Sequence, residues 1–558
     1  MTTWLGLWAW IAARTRQSLT PILLGVGAFF GVTGGRVLAP RNIAWITDGD
    51  AMTYFLGWHF YRFSPWLFPI GVSPRYGDEL SSAIVYVDNV PLLAIAFKLI
   101  SPWLSDPFQY FGLWMLCCFV LQAWFAWLLV GLLTEARLLR ACAAAMFLFA
   151  PPFLYRFAGH YAMTSQWLLL AALYLCLGPR RLARGPAWPL LAFIACLVHS
   201  YITAMVLGLW LTDLARRFLF EGRTRADFVQ LLAVPSLVLL GFWQGGLFVV
   251  GPGMVKSGFG KYRMNLLSLV DPSGWSYLLK DLPEGAGDYE GFNYLGLGAI
   301  ALGLAALPGL KRAWPALRER RHHWPLLLLL LGLTLFAISN RVGIAGSGFD
   351  IPLPQSVIDR ANTLRGGGRM FWPVFYVILW AILRGVIKRY PAKLAAGMLG
   401  GALLLQAVDT SAGWLPIRKG MEPTGSTWSS PLKSAFWASV PGKYRRIHMV
   451  VPKNQKPGYE VFAYFAATHG MATDAFYAAR VDEAKLKAAT RRALAAVNRG
   501  EYEAGTLYVL DPKLARTAQR KLDPKRDLLE RIDGFWIVAP GFRCQPECER
   551  ALETKPSD

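Results

Sequence analysis

Charged residues are scarce in this sequence, and acidic residues are the scarcer kind. Asp, Glu, Lys and Arg make up 17% of the 558 residues, whereas about 25% is usual in soluble globular proteins. This composition excludes an ordinary soluble enzyme. The 35 Asp and Glu residues stand against 58 Lys and Arg residues, so the formal net charge is +23. An excess of this size indicates a nucleic acid or a membrane surface as the partner.

Motifs for nucleotides, metals and nucleic acids are also missing. No zinc-ligand spacing or dinucleotide-binding glycine pattern occurs, and the glycines of 246–253 (GLFVVGPG) lack the Lys-Ser or Lys-Thr ending of a phosphate-binding loop. The sequence also lacks the basic and aromatic array that is typical of nucleic-acid binding. A membrane explains the basic excess better, because Lys and Arg collect in cytoplasmic loops.

Cysteine is infrequent, and its positions separate two environments. Five of the seven cysteines lie in apolar segments, where we expect them to act as packing residues. Cys544 and Cys548 lie four residues apart in a polar C-terminal region. There we expect a local disulfide on an oxidising face of the membrane, with a pair of free thiols as the alternative.

Apolar residues, by contrast, are abundant. They make up 54% of the chain, and the mean hydropathy is +0.35, which predicts a mainly α polytopic membrane protein of about eleven transmembrane helices. Segment 187–214 is longer than one span, so we expect two short spans that turn at His199. Segment 90–104 is short and carries Lys98, which predicts an interfacial helix. The other spans are predicted at 20–38, 107–133, 138–154, 161–178, 228–250, 293–309, 324–340, 369–387 and 394–410.

The charges between these segments predict the orientation of the chain. With an odd number of spans and a cytoplasmic N-terminus, the basic clusters fall in cytoplasmic loops. The first apolar run is too long for a cleavable signal peptide. The transmembrane domain is predicted at 1–410. Its external loops are predicted at 39–106, 251–292 and 341–368.

The C-terminal region, 411–558, is predicted to be a soluble extracytoplasmic α/β domain. Its long apolar runs stop, and charged residues of both signs are interspersed. Ala-rich helical character predicts a helix at 481–499. Strands are predicted in three β-type runs, 444–451, 506–510 and 534–539.

The first external loop is rich in carboxylates beside the membrane. Asp48 and Asp50 follow the first span, and Asp78, Glu79 and Asp88 come later in the loop. Acidic groups held next to a membrane are costly and usually functional. Such a carboxylate can remove a proton from an acceptor hydroxyl or hold a divalent cation. The alternative for Asp48 and Asp50 is that they cap the following helix.

Two later external turns carry isolated polar residues. Arg156 and His160 stand between two apolar spans, and they are predicted to bind a phosphate or pyrophosphate group. The alternative is an interfacial arginine that snorkels and a histidine with ordinary hydrogen bonds. His199 lies at the next turn, where substrate binding and ending a helix are both compatible with the sequence.

The last two external loops add cations, aromatic residues and one more carboxylate. Lys256, Lys261 and Arg263 are expected to meet a lipid phosphate, with general attraction to anionic headgroups as the alternative. Arg365 and Arg369 flank three glycines whose backbone N–H groups are expected to be free and to form an anion nest. A flexible loop with two surface arginines is the alternative. The residues expected to hydrogen-bond a sugar are Tyr289, Glu290 and Asn293; for Glu290, a charge at a helix N-terminus is the alternative.

Several stretches together resemble known membrane proteins. The layout and the early acidic motif resemble the GT-C class of membrane glycosyltransferases, and the individual stretches resemble a bacterial multi-span membrane protein family of this layout that has no assigned activity. The likeness covers most of the chain. The stretches that carry it are TDGD (47–50), YGDELSSAIVYVDNVPLLAIAFK (76–98), FQYFGLW (108–114), RFAGH (156–160), YEGFNYLGLG (289–298) and RGGGRMFWP (365–373).

The resemblance to the GT-C class implies a function. It implies transfer of a sugar from a polyprenyl-phosphate-linked donor to a glycan, lipid or protein acceptor on the outer face of the bacterial inner membrane. It also implies that Asp48 or Asp50 is the general base; metal binding, to Mg or Mn, and helix capping remain alternative roles for Asp50. Two other functions fit the same residues: a transporter or flippase of a lipid-linked saccharide, and a non-catalytic envelope assembly protein.

Overall fold

The protein is mainly helical, with a small mixed β-sheet near its C-terminal end. The computed structural model describes residues 19–46, 49–251, 258–319 and 321–542, and the backbone alone of 309–319 and 321. The N-terminal residues and the predicted disulfide of Cys544 and Cys548 lie outside the described residues.

Helices cover each of the predicted apolar segments, and further helices that were not predicted lie between or after them. In chain order the helices up to residue 424 are α1 (Leu19–Thr33), α2 (Gly49–Phe63), α3 (Pro91–Leu99), α4 (Phe111–Gly131), α5 (Arg137–Leu148), α6 (Pro151–Tyr155), α7 (Trp167–Leu177), α8 (Arg180–Arg184), α9 (Ala187–Cys196), α10 (Ser200–Arg216), α11 (Arg225–Gln244), α12 (Leu297–Glu319), α13 (Trp324–Ile338), α14 (Gln355–Ala361), α15 (Trp372–Arg389), α16 (Ala392–Asp409) and α17 (Ser411–Gly420). Those that were not predicted are α2, α8, α14 and α17. A hairpin of β1 (Arg341–Ile344) and β2 (Ser347–Asp350) precedes α14.

Within the described part of the chain, four helical segments are long and apolar enough to cross a membrane. They are α4, α11, α16 and the segment Gly367–Arg389, which contains α15. In α11 and α16 only 28% of the apolar window is buried inside the protein. Long apolar helices that leave most of their surface uncovered are suited to a lipid environment. These four helices therefore indicate that the protein associates with a membrane.

The predicted break at His199 is confirmed. Helix α9 ends at Cys196 and α10 begins at Ser200. His199 stands between them as the N-cap of α10, and its Nδ1 accepts a hydrogen bond from the backbone N–H of Tyr201 at 3.2 Å. The two helices pack against each other, so the long apolar segment is divided into two short helices by one capping residue.

The chain divides into two compact units, and the first is built almost entirely of helices. It contains residues 1–45, 110–239 and 255–424. Helix α12 packs on α15 and α16. At Gly298 a Cβ would lie 2.1 Å from the carbonyl oxygen of Ala402, so only glycine permits this approach of α12 to α16.

The second unit combines a part of the first loop with the C-terminal region. It contains residues 46–109, 240–254 and 425–558. Its further helices are α18 (Phe436–Ser439), α19 (Tyr459–Thr468), α20 (Glu483–Arg499) and α21 (Pro512–Gln519). Leu56 of α2 and Tyr76 share a hydrophobic core with Phe462 and Leu507. Segment 46–109 is therefore packed against the C-terminal region rather than extended as an isolated loop.

The sheet of the second unit has five strands in the order β4-β3-β5-β7-β6. They are β3 (Arg446–Met449), β4 (Ala472–Thr473), β5 (Thr506–Leu510), β6 (Leu528–Ile532) and β7 (Phe535–Ala539). Strand β3 runs parallel to β4 and β5, whereas β7 is antiparallel to β5 and β6. The three predicted strands and the predicted helix α20 are present. Strands β4 and β6 were not predicted.

Candidate functional site

In the first unit, two arginines donate hydrogen bonds to one buried carboxylate, that of Glu290. Glu290 lies in a short 3₁₀ helix, Asp288–Gly291, and its Oε2 accepts hydrogen bonds from Arg156 Nη1 at 3.0 Å and Arg369 Nε at 2.7 Å. Arg369 also donates to Oε1, which makes that pair bidentate, and Arg156 Nη2 donates to the backbone carbonyl of Glu290 at 3.2 Å. Three predicted site residues from three separate loops therefore meet at one point.

Close backbone approach brings the two 3₁₀ helices together. Arg369 lies in Gly367–Phe371, at the start of the segment that continues into α15. A Cβ on Gly368 would lie 2.4 Å from the Cα of Gly291, so the backbones touch where neither residue has a side chain. Buried Asn293 donates through Nδ2 to the carbonyl of Gly291 at 2.8 Å. Glycines at this contact thus allow the bidentate pair to form.

Two neutral histidines accompany these charges. Burial, followed by the positive charges of Arg369 and Arg156, lowers the pKa of both His160 and His199 to about 3. Because Nδ1 of His199 accepts a hydrogen bond from Tyr201, the neutral ring carries its proton on Nε2. We call Arg156, His160, His199, Glu290 and Arg369 the Glu290 centre.

Cations outnumber carboxylates among the described side chains of the Glu290 centre. Burial alone would raise the pKa of Glu290, but the charges of Arg369 and Arg156 outweigh it and hold that pKa well below its usual range. Among its described side chains, two guanidinium groups stand beside one carboxylate, and Arg156 is only 1% exposed. Buried cations that outnumber the carboxylate beside them favour an anionic ligand.

Two buried donors at this centre lack an acceptor. Among the residues that the structure describes, none accepts a hydrogen bond from Arg156 Nε or from Trp372 Nε1. The Arg156 guanidinium lies 5.2 Å from the ring centroid of Trp372. Buried polar groups are normally satisfied by protein, water or ligand. The two N–H groups therefore strengthen the expectation of a polar ligand or ordered water here.

An exposed rim of cations and aromatic rings continues from the centre. Tyr289, next to Glu290, is 45% exposed, and its ring makes an edge contact with the ring of Tyr262. Lys261 is exposed with its Nζ 5.3 Å from the Tyr262 centroid. Arg365 is half-buried beside Gly258. These side chains combine positive charge with flat apolar surface, which suits a phosphate attached to a sugar or a lipid.

The prediction that the three glycine N–H groups are free is wrong at two of them. The N–H of Gly366 donates to the hydroxyl of Tyr201 at 2.8 Å, and that of Gly368 donates to the carbonyl of Tyr262 at 2.9 Å. The hydroxyl of Tyr201 and the carbonyl of Tyr262 therefore take up two of the three donors that an anion nest needs. The positive charge of this segment comes from the arginine side chains instead.

Arg263 and Asn293 have structural partners. Arg263 Nε donates to Asp288 Oδ1 at 3.1 Å, and its Nη1 donates to the carbonyl of Arg341 at 2.7 Å. Asp288 also accepts from Asn265 Nδ2 at 3.0 Å. Arg263 thus joins the loop to strand β1. Asn293 is fully buried, whereas Lys256 lies outside the described residues.

The predicted carboxylates of the first loop lie in the second unit. Asp50 is half-buried in the first turn of α2, and its charge contributes to raising the pKa of Tyr459 to about 12, after the larger effect of burial and against the lowering hydrogen bond from Thr53. Asp88 is half-buried with a positive φ of 50°. Asp48 lies outside the described residues.

Asp78 and Glu79 pair with side chains of strand β3 and helix α20. Asp78 Oδ2 lies 3.1 Å from His448 Nε2 and 3.5 Å from Arg446 Nε. Glu79 is paired with Arg492 and lies 3.8 Å from Arg446 Nη1. Burial alone would lower the pKa of His448, but the hydrogen bond with Asp78 and nearby carboxylates raise it. These contacts give both acidic residues a structural role within the second unit.

Comparison with known protein families assigns the chain to a family. The family described as "Domain of unknown function (DUF6311)" matches residues 22–411, and its companion, "DUF6311 C-terminal domain", matches residues 436–540. The chain belongs to the DUF6311 family. No curated protein matches the sequence. The DUF6311 match includes every described residue of the Glu290 centre.

The aromatic residues that lie beside the arginines of the Glu290 centre were not identified from the sequence. Tyr201 and Trp372 lie beside Arg369 and Arg156, with guanidinium-to-centroid distances of 5.2 Å in both cases. The only signal was their position next to predicted residues, in HSY (199–201) and RMFW (369–372). Within the described ranges, no group of three or more His, Cys, Asp or Glu residues is arranged to hold a metal ion.

Proposed function

We propose that this DUF6311 protein is an integral membrane glycosyltransferase. It transfers a sugar from a polyprenyl-phosphate-linked donor to an acceptor of the cell envelope, on the extracytoplasmic face of the bacterial inner membrane. The observation that carries the proposal is the Glu290 centre, where two buried arginines share one carboxylate. Such a centre is suited to the phosphate of the donor.

The proposed chemistry is an inverting displacement at the anomeric carbon. A carboxylate removes the proton of the acceptor hydroxyl, which then attacks the sugar, and the resemblance to the GT-C class assigns this role to Asp48 or Asp50. The bond to the polyprenyl phosphate breaks, and the leaving phosphate keeps the bonding electron pair. A phosphate monoester needs no proton in order to leave, so no carboxylic acid is required. Arg156 and Arg369 stabilise the charge that develops on it.

The neutral histidines fit this chemistry. With pKa values near 3, His160 and His199 stay uncharged at neutral pH. A neutral imidazole adds no further positive charge to the buried centre. The positive charge available to the phosphate then comes from the arginines and the rim residues Lys261 and Arg365.

The proposed topology places this chemistry outside the cell. We propose about eleven spans, arranged as in the GT-C class, with a cytoplasmic N-terminus and an extracytoplasmic C-terminal domain. Its support is the agreement of the predicted apolar segments with the helices, the exposed apolar surfaces of α11 and α16, and the basic clusters of alternate loops.

The test is a transfer assay on the purified chain in lipid nanodiscs. The donor is a polyprenyl-phosphate sugar labelled in the sugar, and an envelope extract supplies the acceptors. A glycosyltransferase moves the label to the extract and releases polyprenyl phosphate. A flippase moves intact donor across vesicle bilayers and releases none, so intact donor together with vesicle transport would contradict the proposal.

A further inference from the structure

A cleft opens at the carboxyl ends of the parallel strands in the second unit. From β3 the chain passes through α19 to β4 on one side, whereas from β5 it passes through α21 to β6 and β7 on the other. Crossovers that leave neighbouring strands in opposite directions create a crevice, and ligands of open α/β sheets bind there. The cleft has a volume of about 350 Å³ and is lined by the strand ends Met449 and Leu510. That volume lies within the range of small-molecule sites, about 300–1,000 Å³.

The walls of the cleft combine aromatic rings with charged groups of both signs. Half-buried Phe535 and Trp536 come from the start of β7, and Trp536 pairs with Leu510 across the sheet. Arg531 of β6 is exposed and stands opposite Trp536 on the neighbouring strand. Lys456 lies on the other side. We call Lys456, Asp511, Arg531, Phe535 and Trp536 the switch-point cleft.

Asp511 is held at the mouth of this cleft rather than used in capping. It is the N-cap residue of α21, but its side chain makes no capping hydrogen bond. Its Oδ2 instead accepts from Lys456 Nζ at 3.2 Å, and the same ammonium donates to the carbonyl of Val450 at 2.7 Å. The Asp511 side chain remains 54% exposed, whereas that of Lys456 is only 12% exposed. The carboxylate is therefore oriented by a nearly buried cation and stays accessible to a ligand.

The cleft chemistry disfavours a nucleotide. Phosphates bind at helix N-termini through free backbone N–H groups. Here Asp511 places a negative charge at the start of α21, and Pro512 has no N–H to offer. An exposed carboxylate beside an indole ring suits hydroxyl groups instead, because it accepts two hydrogen bonds while the ring covers the apolar face of a sugar.

We propose that the switch-point cleft binds an anionic saccharide. The pyranose ring lies against Trp536, Asp511 accepts hydrogen bonds from neighbouring hydroxyl groups, and Lys456 and Arg531 contact a carboxylate or phosphate substituent. The two cations outnumber the single carboxylate, which selects a charged sugar over a neutral one. The proposal goes beyond glycosyl transfer and does not depend on it.

Binding of a glucuronate-containing disaccharide to the full-length chain in nanodiscs tests this site. Calorimetric titration of the wild type should give binding, whereas the disaccharide with its carboxyl group reduced to an alcohol should bind about tenfold more weakly, as expected for one charged contact. Asp511→Asn and Trp536→Leu should each weaken binding at least tenfold. Equal affinity for the charged and reduced sugars would overturn the anionic class.

Two arginine variants, one inside and one outside the cleft, distinguish loss of binding from loss of folding. Arg531→Gln should weaken binding of the charged sugar and leave the unfolding midpoint unchanged, because its side chain is exposed. Arg516→Gln, an exposed arginine of α21 outside the cleft, should bind like the wild type. Absence of wild-type binding, or full binding in Arg531→Gln, Asp511→Asn and Trp536→Leu alike, would overturn the proposal. The Asp50→Asn chain should still bind, which separates this site from failure of the proposed transfer.

Discussion

Glu290 is the residue on which the buried charges of the first unit depend. It neutralises one of two guanidinium groups, and both arginines donate to the same oxygen, Oε2. A buried ion network of this kind is a weak source of stability, but it becomes costly when one partner is removed. The position of Glu290 therefore matters both to folding and to the charge offered to a ligand.

Replacing Glu290 with glutamine should destabilise the protein strongly. Glu290→Gln removes the charged partner that Arg156 and Arg369 share, and breaking a buried ion network costs about 3–5 kcal/mol in comparable cases. Chemical unfolding in detergent measures the loss. Asp359→Asn, at an exposed acidic residue of α14, is the control and should unfold like the wild type. A wild-type unfolding midpoint for Glu290→Gln would show that the arginines do not depend on this carboxylate.

His199 should make stability depend on pH in a defined direction. Its folded pKa is about 3, below the ordinary value of 6.5, so the unfolded state binds more protons between these values. Stability should fall as the pH is lowered below about 6.5, by up to about 1.4 kcal/mol per pH unit from this residue. His199→Asn keeps the N-cap and removes the titration, so its unfolding free energy should depend less on pH.

The control variant for His199→Asn is His322→Asn, which replaces an exposed histidine. Unfolding free energies are measured from pH 4 to pH 7 for the wild type and both variants. An equal slope in the wild type and in His199→Asn would contradict the neutral, buried state of His199. The remaining slope of His199→Asn reports the other titrating groups, His160 among them.

Individual site residues were predictable where they were isolated in apolar surroundings. Arg156 and Glu290 stood out because a charge between or before apolar segments needs a reason. The pairing between them was not predictable, because 134 residues separate the two along the chain. Likewise, nothing local in the sequence indicates that Arg263 contacts Asp288 or that the N–H of Gly366 is taken by Tyr201.

At the scale of elements, two short 3₁₀ helices build the candidate site. Asp288–Gly291 supplies the carboxylate, and Gly367–Phe371 supplies Arg369. Their backbones approach at Gly291 and Gly368, where a Cβ on either residue would clash with backbone atoms of the described chain. The geometry of the bidentate pair thus depends on two residues that have no functional groups of their own.

A methyl group at this contact should separate the elements. In Gly368→Ala the new Cβ would lie 2.4 Å from the Cα of Gly291, so the 3₁₀ helices must move apart. Overpacking of this kind costs about 1–3 kcal/mol. Chemical unfolding measures it. The control is Gly397→Ala in α16, where nothing lies within 4 Å and alanine favours the helix. Equal stability of the two variants would contradict the close approach.

Whole elements were more predictable than their contacts. The long apolar segments could be predicted as helices because a chain expected to lie in lipid must satisfy its backbone hydrogen bonds internally. Strand β5 was predictable from its apolar and β-branched residues. Strand β4 has two residues, and β6 (LLERI) mixes exposed charges with buried ends, so neither carries a clear local signal.

At the scale of the whole molecule, each compact unit is assembled from separated parts of the chain. Segment 46–109 belongs with the C-terminal region, through a shared core and the pairing of Asp78 with His448. Composition suggested an external loop and a separate soluble domain. Their association could not be predicted, because contacts between residues about 370 apart leave no pattern in either segment.

The proposed topology predicts which residues are accessible from outside the cell. In a cysteine-free chain, Lys525→Cys in the C-terminal domain should react with a membrane-impermeant maleimide in spheroplasts. Arg181→Cys, also exposed on the protein surface, should react only after lysis. Both positions are exposed, so a difference in labelling reports the side of the membrane. Labelling of Arg181→Cys in intact spheroplasts would contradict the orientation.

In the proposed function, a first-loop carboxylate drives sugar transfer from a polyprenyl-phosphate donor. The most direct measurement is release of polyprenyl phosphate by wild type, Asp48→Asn, Asp50→Asn and the double variant, at equal amounts of folded chain. We expect at least one single variant to lose transfer by about 10²–10⁴-fold, the usual contribution of a general base, with unfolding unchanged. Full release by all three variants would show that neither Asp48 nor Asp50 is the general base.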